Sequence, residues 1–166
     1  MSIKTAIILG VGPHDGLGAH LAGQAAATGL HVIVAGRTLA KVASVADAIR
    51  AGGGQASPVE CDATDEASVI ALFQTAEATG PVALAIYNAG NNMPGGIEGM
   101  KADYFEKCWR VCAYGAFLFA REAAVHMLPR GEGSLIFTGA SSSMRGRAGF
   151  AAFSSAKGAL RNLAQS

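Results

Sequence analysis

Short runs that are apolar over their whole length alternate with longer segments in which apolar residues recur every three or four positions. Such runs are typical of β-strands buried on both faces, and the spaced segments are typical of helices with one buried face. The predicted strands span residues 5–10, 31–35, 56–61, 81–87 and 133–139. The predicted helices span residues 16–29, 38–52, 65–79 and about 103–127, and a last helix begins near Gly149.

This regular alternation of strands and helices predicts an α/β fold, a Rossmann-type doubly wound parallel sheet with helices on both faces. We find no repeat of fixed period and no linker, so residues 1–166 are expected to form a single dinucleotide-binding domain. The strand at 133–139 would form a sheet edge, and a long apolar edge promotes pairing with other chains. Either a partner covers this edge or the chain is a truncated form that lacks further strands and a substrate segment; we favour truncation.

Composition and charge exclude several classes of protein. Hydrophobic residues make up 51% of the chain and charged residues 15%, which argues against intrinsic disorder. The formal net charge is +1 with scattered Lys and Arg, so no basic face for nucleic acid is expected. The apolar run 6–9 near the N-terminus is too short for a signal peptide or a membrane span. No membrane partner is therefore expected.

Three cysteines, Cys61, Cys108 and Cys112, form no disulfide framework, which favours a reduced, cytoplasmic protein. Cys108 and Cys112 are four residues apart and would share one face of a helix. A metal site would need further ligands nearby, and the sequence offers none. We therefore expect buried thiols and no metal.

A glycine-rich segment, residues 10–18, lies between the first predicted strand and the first predicted helix. We expect Gly12 to allow a sharp turn, Gly16 to let the backbone approach a pyrophosphate, and Gly18 to let the helix pack closely on the strand. The N–H groups at the helix start, from Leu17 onwards, would face the phosphates. The segment predicts a dinucleotide phosphate site; the alternative is a purely structural turn.

The end of the second predicted strand bears on the choice between NAD(H) and NADP(H). An acidic residue about twenty positions after the glycines usually binds the ribose hydroxyls of NAD(H), and here that position is Gly36. Arg37 follows, and its guanidinium suits a 2′-phosphate, to which Thr38 can add a hydroxyl donor. The sequence predicts NADP(H) in preference to NAD(H). The alternative is that Arg37 is a surface charge and NAD(H) binds without an acidic anchor.

Together these motifs resemble the short-chain dehydrogenase/reductase family. The matching residues are the glycines at 12, 16 and 18, Asp62 after the third strand, Asn88-Ala89-Gly90 after the fourth, and Lys157. The resemblance implies that Asp62 contacts adenine and that 88–90 line the cofactor site. It also implies hydride transfer between a nicotinamide and a carbonyl or alcohol on a small-molecule substrate. Because family members associate through the long helix and the last helix, it implies a homo-oligomer, a dimer or tetramer.

The catalytic positions of the family are largely changed in this chain. The family uses a tyrosine as acid or base, a lysine that lowers the tyrosine pKa and holds the ribose, a serine that binds the substrate oxygen, and an asparagine that supports a water. The lysine is present as Lys157, whereas Phe153, Ala140 and Cys112 occupy the other three positions. Ser141 would restore a hydroxyl through a one-residue shift. Lys157 and Ser141 are therefore the candidate catalytic residues.

Two functional hypotheses follow from this pattern. The first is an NADP(H)-dependent oxidoreductase of the short-chain type with a degenerate active site. The second is a non-catalytic NADP(H)-binding scaffold or sensor, which the three changed positions favour. Intact cofactor motifs fit both hypotheses, and a further C-terminal segment or a compensating acid would favour the first. We prefer the oxidoreductase on the family resemblance.

Overall fold

The five predicted strands are all present and lie in one parallel sheet. The structure, a computed structural model, describes residues 3–166. The strands are β1 (Thr5–Leu9), β2 (His31–Gly36), β3 (Gln55–Glu60), β4 (Val82–Tyr87) and β5 (Ser134–Phe137). Their order in the sheet is β3-β2-β1-β4-β5, and every neighbouring pair is parallel. Each strand lies within two residues of its predicted bounds.

Helices cover both faces of the sheet, which confirms the predicted doubly wound fold. They are α1 (Leu17–Ala27), α2 (Leu39–Ala51), α3 (Glu66–Thr79), α4 (Ala102–Trp109), α5 (Gly115–Met127) and α6 (Ala151–Gln165). Successive side chains of a strand point to opposite faces. Ile8 and its neighbours on one face pack against α1 and α2, while Ile7 and its neighbours on the other pack against α3, α5 and α6. Both sides of the central strands are therefore buried.

The strand order reverses between β1 and β4. The chain first builds β1, β2 and β3 outwards to one edge, and then returns to place β4 and β5 on the other side of β1. In doubly wound sheets, ligands bind outside the carboxyl ends of the strands at such a switch point. The topology therefore predicts a ligand site among the loops that follow β1, β2 and β4.

The predicted long helix at 103–127 is interrupted by one turn of π-helix at Arg110–Tyr114, between α4 and α5. The Tyr87 hydroxyl, from β4, donates a hydrogen bond to the Val111 carbonyl in this turn. Tyr87 fits beneath the helix because Gly115 has no side chain: a Cβ there would lie 2.5 Å from both the Tyr87 hydroxyl oxygen and the Ala63 carbonyl oxygen. The interruption thus results from a contact with the sheet that helical periodicity does not reveal.

The helical stretch Ala102–Arg130 has 29 residues and is apolar enough to cross a membrane by length and composition. Half of its most apolar window is buried inside the fold, where α5 packs on the sheet and on α3. A helix in the core of a fold can have the same length and composition. The stretch is therefore only weak evidence for membrane association.

Strand β5 forms an edge of the sheet, as predicted from the sequence. Within residues 3–166 its only paired neighbour is β4, in a register that joins Leu84 to Ser134 and Tyr87 to Phe137. Ile136 in this strand remains 47% exposed. Within the described residues this side of the sheet is thus unpaired beyond β5 and exposes one large apolar side chain of that strand.

Candidate functional site

A cavity of about 210 Å³ lies at the carboxyl ends of β1, β2 and β4. It brings together residues from four separate segments that the sequence assigned to cofactor binding. Its lining includes Gly12, Arg37, Asp62, Asn88, Ala89 and Gly90, along with Gly10, Gly36 and Val111. A larger groove of about 640 Å³ between α1 and α2 is lined mainly by alanine and glycine and contains none of the predicted site residues. The smaller cavity is therefore the candidate site.

The sharp turn after β1 is made by Gly10, not by Gly12 as predicted. Gly10 has φ +99°, and a Cβ on it would lie 2.3 Å from the Ala89 backbone nitrogen. Gly12 has no positive φ, and a Cβ there would have nothing within 4 Å. The reason is that the strand end must pass directly over the Asn88–Ala89 backbone, which requires glycine at position 10. Gly12 instead leaves open space above the cavity.

Gly16, Leu17 and Gly18 form the start of α1, and Gly18 has the close packing that the sequence predicted. A Cβ on Gly18 would lie 3.0 Å from both the Gly10 carbonyl oxygen and the Val11 Cα. Because glycine permits this approach, the N-terminus of α1 is held against the loop that follows β1. These three residues do not line the cavity itself, and their contact with a cofactor remains a prediction.

Gly36 has no room for the acidic side chain that often binds the ribose of NAD(H). A Cβ at this position would lie 2.5 Å from the Val11 carbonyl oxygen. Arg37 is therefore the first residue after β2 whose side chain can reach the rim, where it is exposed. It forms no salt bridge within residues 3–166. Thr38 is also exposed and precedes α2, and its hydroxyl caps no backbone N–H.

Asp62 and Asn88 are held by hydrogen bonds to their surroundings. Asp62 Oδ1 accepts from the Thr64 backbone N–H and hydroxyl, both at 2.8 Å, which fixes the carboxylate at the rim. Asn88 Nδ2 donates to the Gly10 carbonyl oxygen at 3.0 Å, and its backbone N–H donates to Leu9 at 2.7 Å. Asn88 thus ties the end of β4 to the glycine segment, a role that sequence reasoning missed.

Lys157, on α6, is buried with its amine at the carboxyl ends of β4 and β5. Its Nζ donates a 2.7 Å hydrogen bond to the Thr138 carbonyl oxygen. An ideal Cβ at Gly90 would lie 3.9 Å from both Lys157 Nζ and Cys112 Sγ, so the amine borders the candidate site. Burial lowers the pKa of Lys157, while the thiols of Cys112 and Cys108 act in the opposite direction.

The three changed catalytic positions surround this amine. The centroid of the Phe153 ring is 5.8 Å from Lys157 Nζ, and Phe153 packs on the buried cluster that includes Cys112. Ala140 lines a groove of about 300 Å³ together with Lys157, and that lining includes Ser143 but not Ser141. Ser141 is exposed in a short 3₁₀ turn. Its proposed substitution for the family serine therefore stays a prediction.

Cys108 and Cys112 are fully buried, as expected from the sequence, and both approach the Asn91 carbonyl oxygen. The Cys108 thiol donates to that oxygen at 3.1 Å, and Cys112 Sγ lies 3.9 Å from it. Burial is the main cause that raises the pKa of Cys108 to about 12. Within residues 3–166 no three His, Cys, Asp or Glu side chains are grouped as metal ligands would be.

Comparison with known proteins identifies related sequences along almost the whole chain. Residues 4–166 match the family described as short chain dehydrogenase. An uncharacterized oxidoreductase of Bacillus subtilis is 35% identical over 96% of this chain and 58% of its own length. The gluconate 5-dehydrogenase of Gluconobacter oxydans is 29% identical over 98% of this chain and 64% of its own length. The chain thus spans less than two thirds of these curated relatives.

Solved structures show the same architecture. A short-chain dehydrogenase from Rhodopseudomonas palustris superposes with a TM-score of 0.92 at 37% identity, covering 98% of this chain and 76% of that one. A gluconate 5-dehydrogenase from Burkholderia cenocepacia, solved in complex with NADP and tartrate, has a TM-score of 0.89 at 29% identity. That alignment covers 98% of this chain and 64% of the other.

Proposed function

Because the chain belongs to the short-chain dehydrogenase/reductase family of oxidoreductases, we propose that it binds NADP(H) and transfers hydride to or from a carbonyl or alcohol carbon with a reduced catalytic set. The observation that carries this proposal is the cavity in which Gly12, Arg37, Asp62 and Asn88–Gly90 converge. The NADP bound by the Burkholderia cenocepacia relative supports the choice of cofactor class.

The described residues fit a dinucleotide. Gly12 leaves open space where a pyrophosphate can approach the backbone. At the start of α1 the backbone N–H groups of Leu17 and Gly18 would bind it, since those of Ala19 and His20 donate to the Gly16 carbonyl oxygen. The Asp62 carboxylate, fixed at the rim, is suited to an adenine amino group. Lys157 would hold the nicotinamide ribose, and the bound nicotinamide supplies the hydride.

Preference for NADP(H) over NAD(H) rests on the residues that follow β2. The crowding at Gly36 removes the acidic side chain that would bind both ribose hydroxyls and repel a 2′-phosphate. Arg37 at the rim has no carboxylate partner within the described part of the chain, so its guanidinium can pair with that phosphate. Thr38 can add one hydroxyl donor.

The changed positions limit the expected rate of reaction. Phe153 cannot donate a proton, and Ala140 cannot hydrogen-bond a substrate oxygen. A positioned general acid contributes about 10²–10⁴ in rate, and one oxyanion donor contributes about 10²–10³. Such losses do not add within one catalytic unit. We therefore propose slow turnover on ordinary carbonyl substrates by comparison with family members that keep the tyrosine and serine.

A non-catalytic NADP(H)-binding scaffold or sensor is the second candidate function. The apolar packing of Phe153 on Cys108 and Cys112 favours it, because the region around the amine lacks the hydroxyls of the family site. Exposed aromatic side chains on α4 and α5, Phe105, Trp109 and Phe117, support association into a homo-oligomer under either function. A cytoplasmic location stays a prediction.

Calorimetric titration of the purified chain with NADPH, and separately with NADH, tests the proposal. We expect NADPH to bind at least about tenfold more tightly, a difference of about 1.4 kcal/mol. Equal affinities would contradict the role given to Arg37 while supporting the dinucleotide site. Absence of binding by a folded chain would contradict the proposed function as a whole.

Restoring the tyrosine and serine hydroxyls that the family uses tests whether their loss limits the proposed hydride transfer. We expect Phe153→Tyr alone to raise NADPH-dependent aldehyde reduction by less than about tenfold, because Ala140 still offers no hydroxyl. The double variant Phe153→Tyr with Ala140→Ser should gain about 10²-fold or more. Ala71→Ser, which adds a hydroxyl at an exposed position on α3 away from the cavity, is the matched control and should have no effect. A large gain from Phe153→Tyr alone would show that Ser141 or another group already binds the substrate oxygen.

A further inference from the structure

Lys157 is a buried amine without an acidic partner. The residue is 4% exposed, and the one hydrogen bond of its Nζ is to the Thr138 carbonyl oxygen. No carboxylate lies within salt-bridge distance of it in residues 3–166. Burying an unpaired ammonium is costly. Holding a ribose hydroxyl requires only a hydrogen-bond donor, so it does not explain why an ionisable amine occupies this place.

The titratable groups around the amine come from three elements. Cys108 and Tyr104 lie on α4, Cys112 lies in the π-helical turn, and Arg161 lies one turn along α6 in the groove that Lys157 also lines. The Cys108 thiol is directed at Asn91, and burial raises its pKa to about 12. A thiol with that pKa is a weaker proton donor at neutral pH than a lysine ammonium.

Tyr104 packs against the buried cluster of Cys108 and Cys112, and its hydroxyl is already engaged. It accepts from the Met93 backbone N–H at 2.6 Å and donates to the Met93 carbonyl oxygen at 3.2 Å. Arg161 holds its proton too firmly to donate it. Cys112 directs its thiol at the Asn91 carbonyl oxygen, as Cys108 does. The Lys157 ammonium therefore remains as the positively charged group that borders the site and can release a proton.

We propose that Lys157 itself donates the proton during carbonyl reduction, in the place of the missing tyrosine. This inference rests on the proposed function. The nicotinamide gives a hydride, with its electron pair, to the carbonyl carbon and is oxidised. The carbon–oxygen π pair takes a proton from Lys157 Nζ, so the carbonyl becomes an alcohol and the ammonium becomes a neutral amine. The amine then regains a proton from water.

The surroundings of Lys157 suit this role. A general acid is most effective when its pKa lies near the working pH. Burial lowers the pKa of Lys157 from its ordinary range, which moves it in that direction. The Thr138 carbonyl orients the amine without supplying a charge that would hold the proton. The burial of Lys157 therefore both positions its amine and makes its ammonium form more acidic.

Two variants and two probes test the inference at saturating NADPH. We expect Lys157→Met and Lys157→Arg each to lower kcat for 4-nitrobenzaldehyde by about 10²-fold or more, because a guanidinium does not release its proton. Reduction of 9,10-phenanthrenequinone should fall by less than about tenfold, because the hydroquinone anion is a far weaker base than an alkoxide and needs less proton donation. Lys107→Met, an exposed change on α4, is the control.

The pH dependence supplies a readout that does not need turnover. Burial makes the pKa of Lys157 lower in the folded chain than in the unfolded chain. At pH values between these two pKa values, the unfolded chain binds a proton at Lys157 that the folded chain does not. The free energy of unfolding of the wild type, relative to Lys157→Met, should therefore rise with pH across that window and be constant below it. Over the same window the wild-type kcat for the aldehyde should fall as the amine loses its proton.

Several outcomes would overturn the inference. Aldehyde reduction that is unchanged in Lys157→Met would assign the proton to water or to Ser141. A kcat retained by Lys157→Arg, or a stability difference that does not vary with pH, would also contradict it. Binding of NADPH without reduction of either probe would overturn it while leaving the cofactor site intact. Loss of NADPH binding by the wild type would instead contradict the proposed function itself.

Discussion

Gly10→Ala should destabilise the fold by about 2–5 kcal/mol and abolish NADPH binding. Position 10 has φ +99°, which an alanine adopts only with strain, and the added Cβ would lie 2.3 Å from the Ala89 nitrogen. That neighbour is backbone, so it cannot move aside as a flexible side chain would. The displacement would also break the Asn88–Gly10 hydrogen bond. Urea unfolding, followed by the shift in midpoint, measures the loss.

Gly12→Ala is the matched control two residues along the same segment. A Cβ there meets nothing within 4 Å, and its φ is not positive. The free energy of unfolding should be unchanged, or raised by about 0.4–1 kcal/mol, because alanine leaves the unfolded chain less conformational freedom than glycine does. NADPH binding should nevertheless weaken, because the methyl group enters the space above the cavity. Equal destabilisation by the two variants would show that Gly10 is not the residue that bears the strained turn.

Arg37→Asp should weaken NADPH binding by about 100-fold or more, about 2.8 kcal/mol, and change NADH binding by less than about threefold. The substitution removes the guanidinium and places a carboxylate where the 2′-phosphate would lie. A carboxylate can accept hydrogen bonds from the ribose hydroxyls of NADH, so affinity for that cofactor is kept. Titration with each nucleotide measures both affinities, and their ratio is the decisive quantity.

Two further variants separate geometry from net charge. Arg37→Lys keeps the charge but loses the planar fork, so its NADPH affinity should lie between those of the wild type and Arg37→Asp. Arg147→Asp makes the same charge change in the exposed loop after β5 and should leave both affinities unchanged. Equal losses for NADPH and NADH in Arg37→Asp would overturn the assignment of this residue to the 2′-phosphate.

The strands and most helix bounds were predictable from the sequence for a physical reason. A strand covered on both faces must be apolar at successive positions, as residues 31–35 are, and a helix on a sheet must repeat its apolar face every three or four residues. These are local patterns, so the chain displays them directly. The glycine segment and Arg37 were also predictable, because their offsets from the strand ends are local. Asp62 and Lys157 were identified through the resemblance to the family.

Tertiary structure alone decided what depends on segments distant in the chain. The passage of Gly10 over Ala89, the contact of Gly36 with the Val11 carbonyl and the hydrogen bond from Asn88 to Gly10 arise only once β1, β2 and β4 are adjacent. The burial of Lys157 against Thr138 likewise requires α6 to pack across the ends of β4 and β5. Residue type and spacing thus determined which side chains reach the site. The close approach of non-local backbones determined which glycine turns the chain and which amine is held without a countercharge.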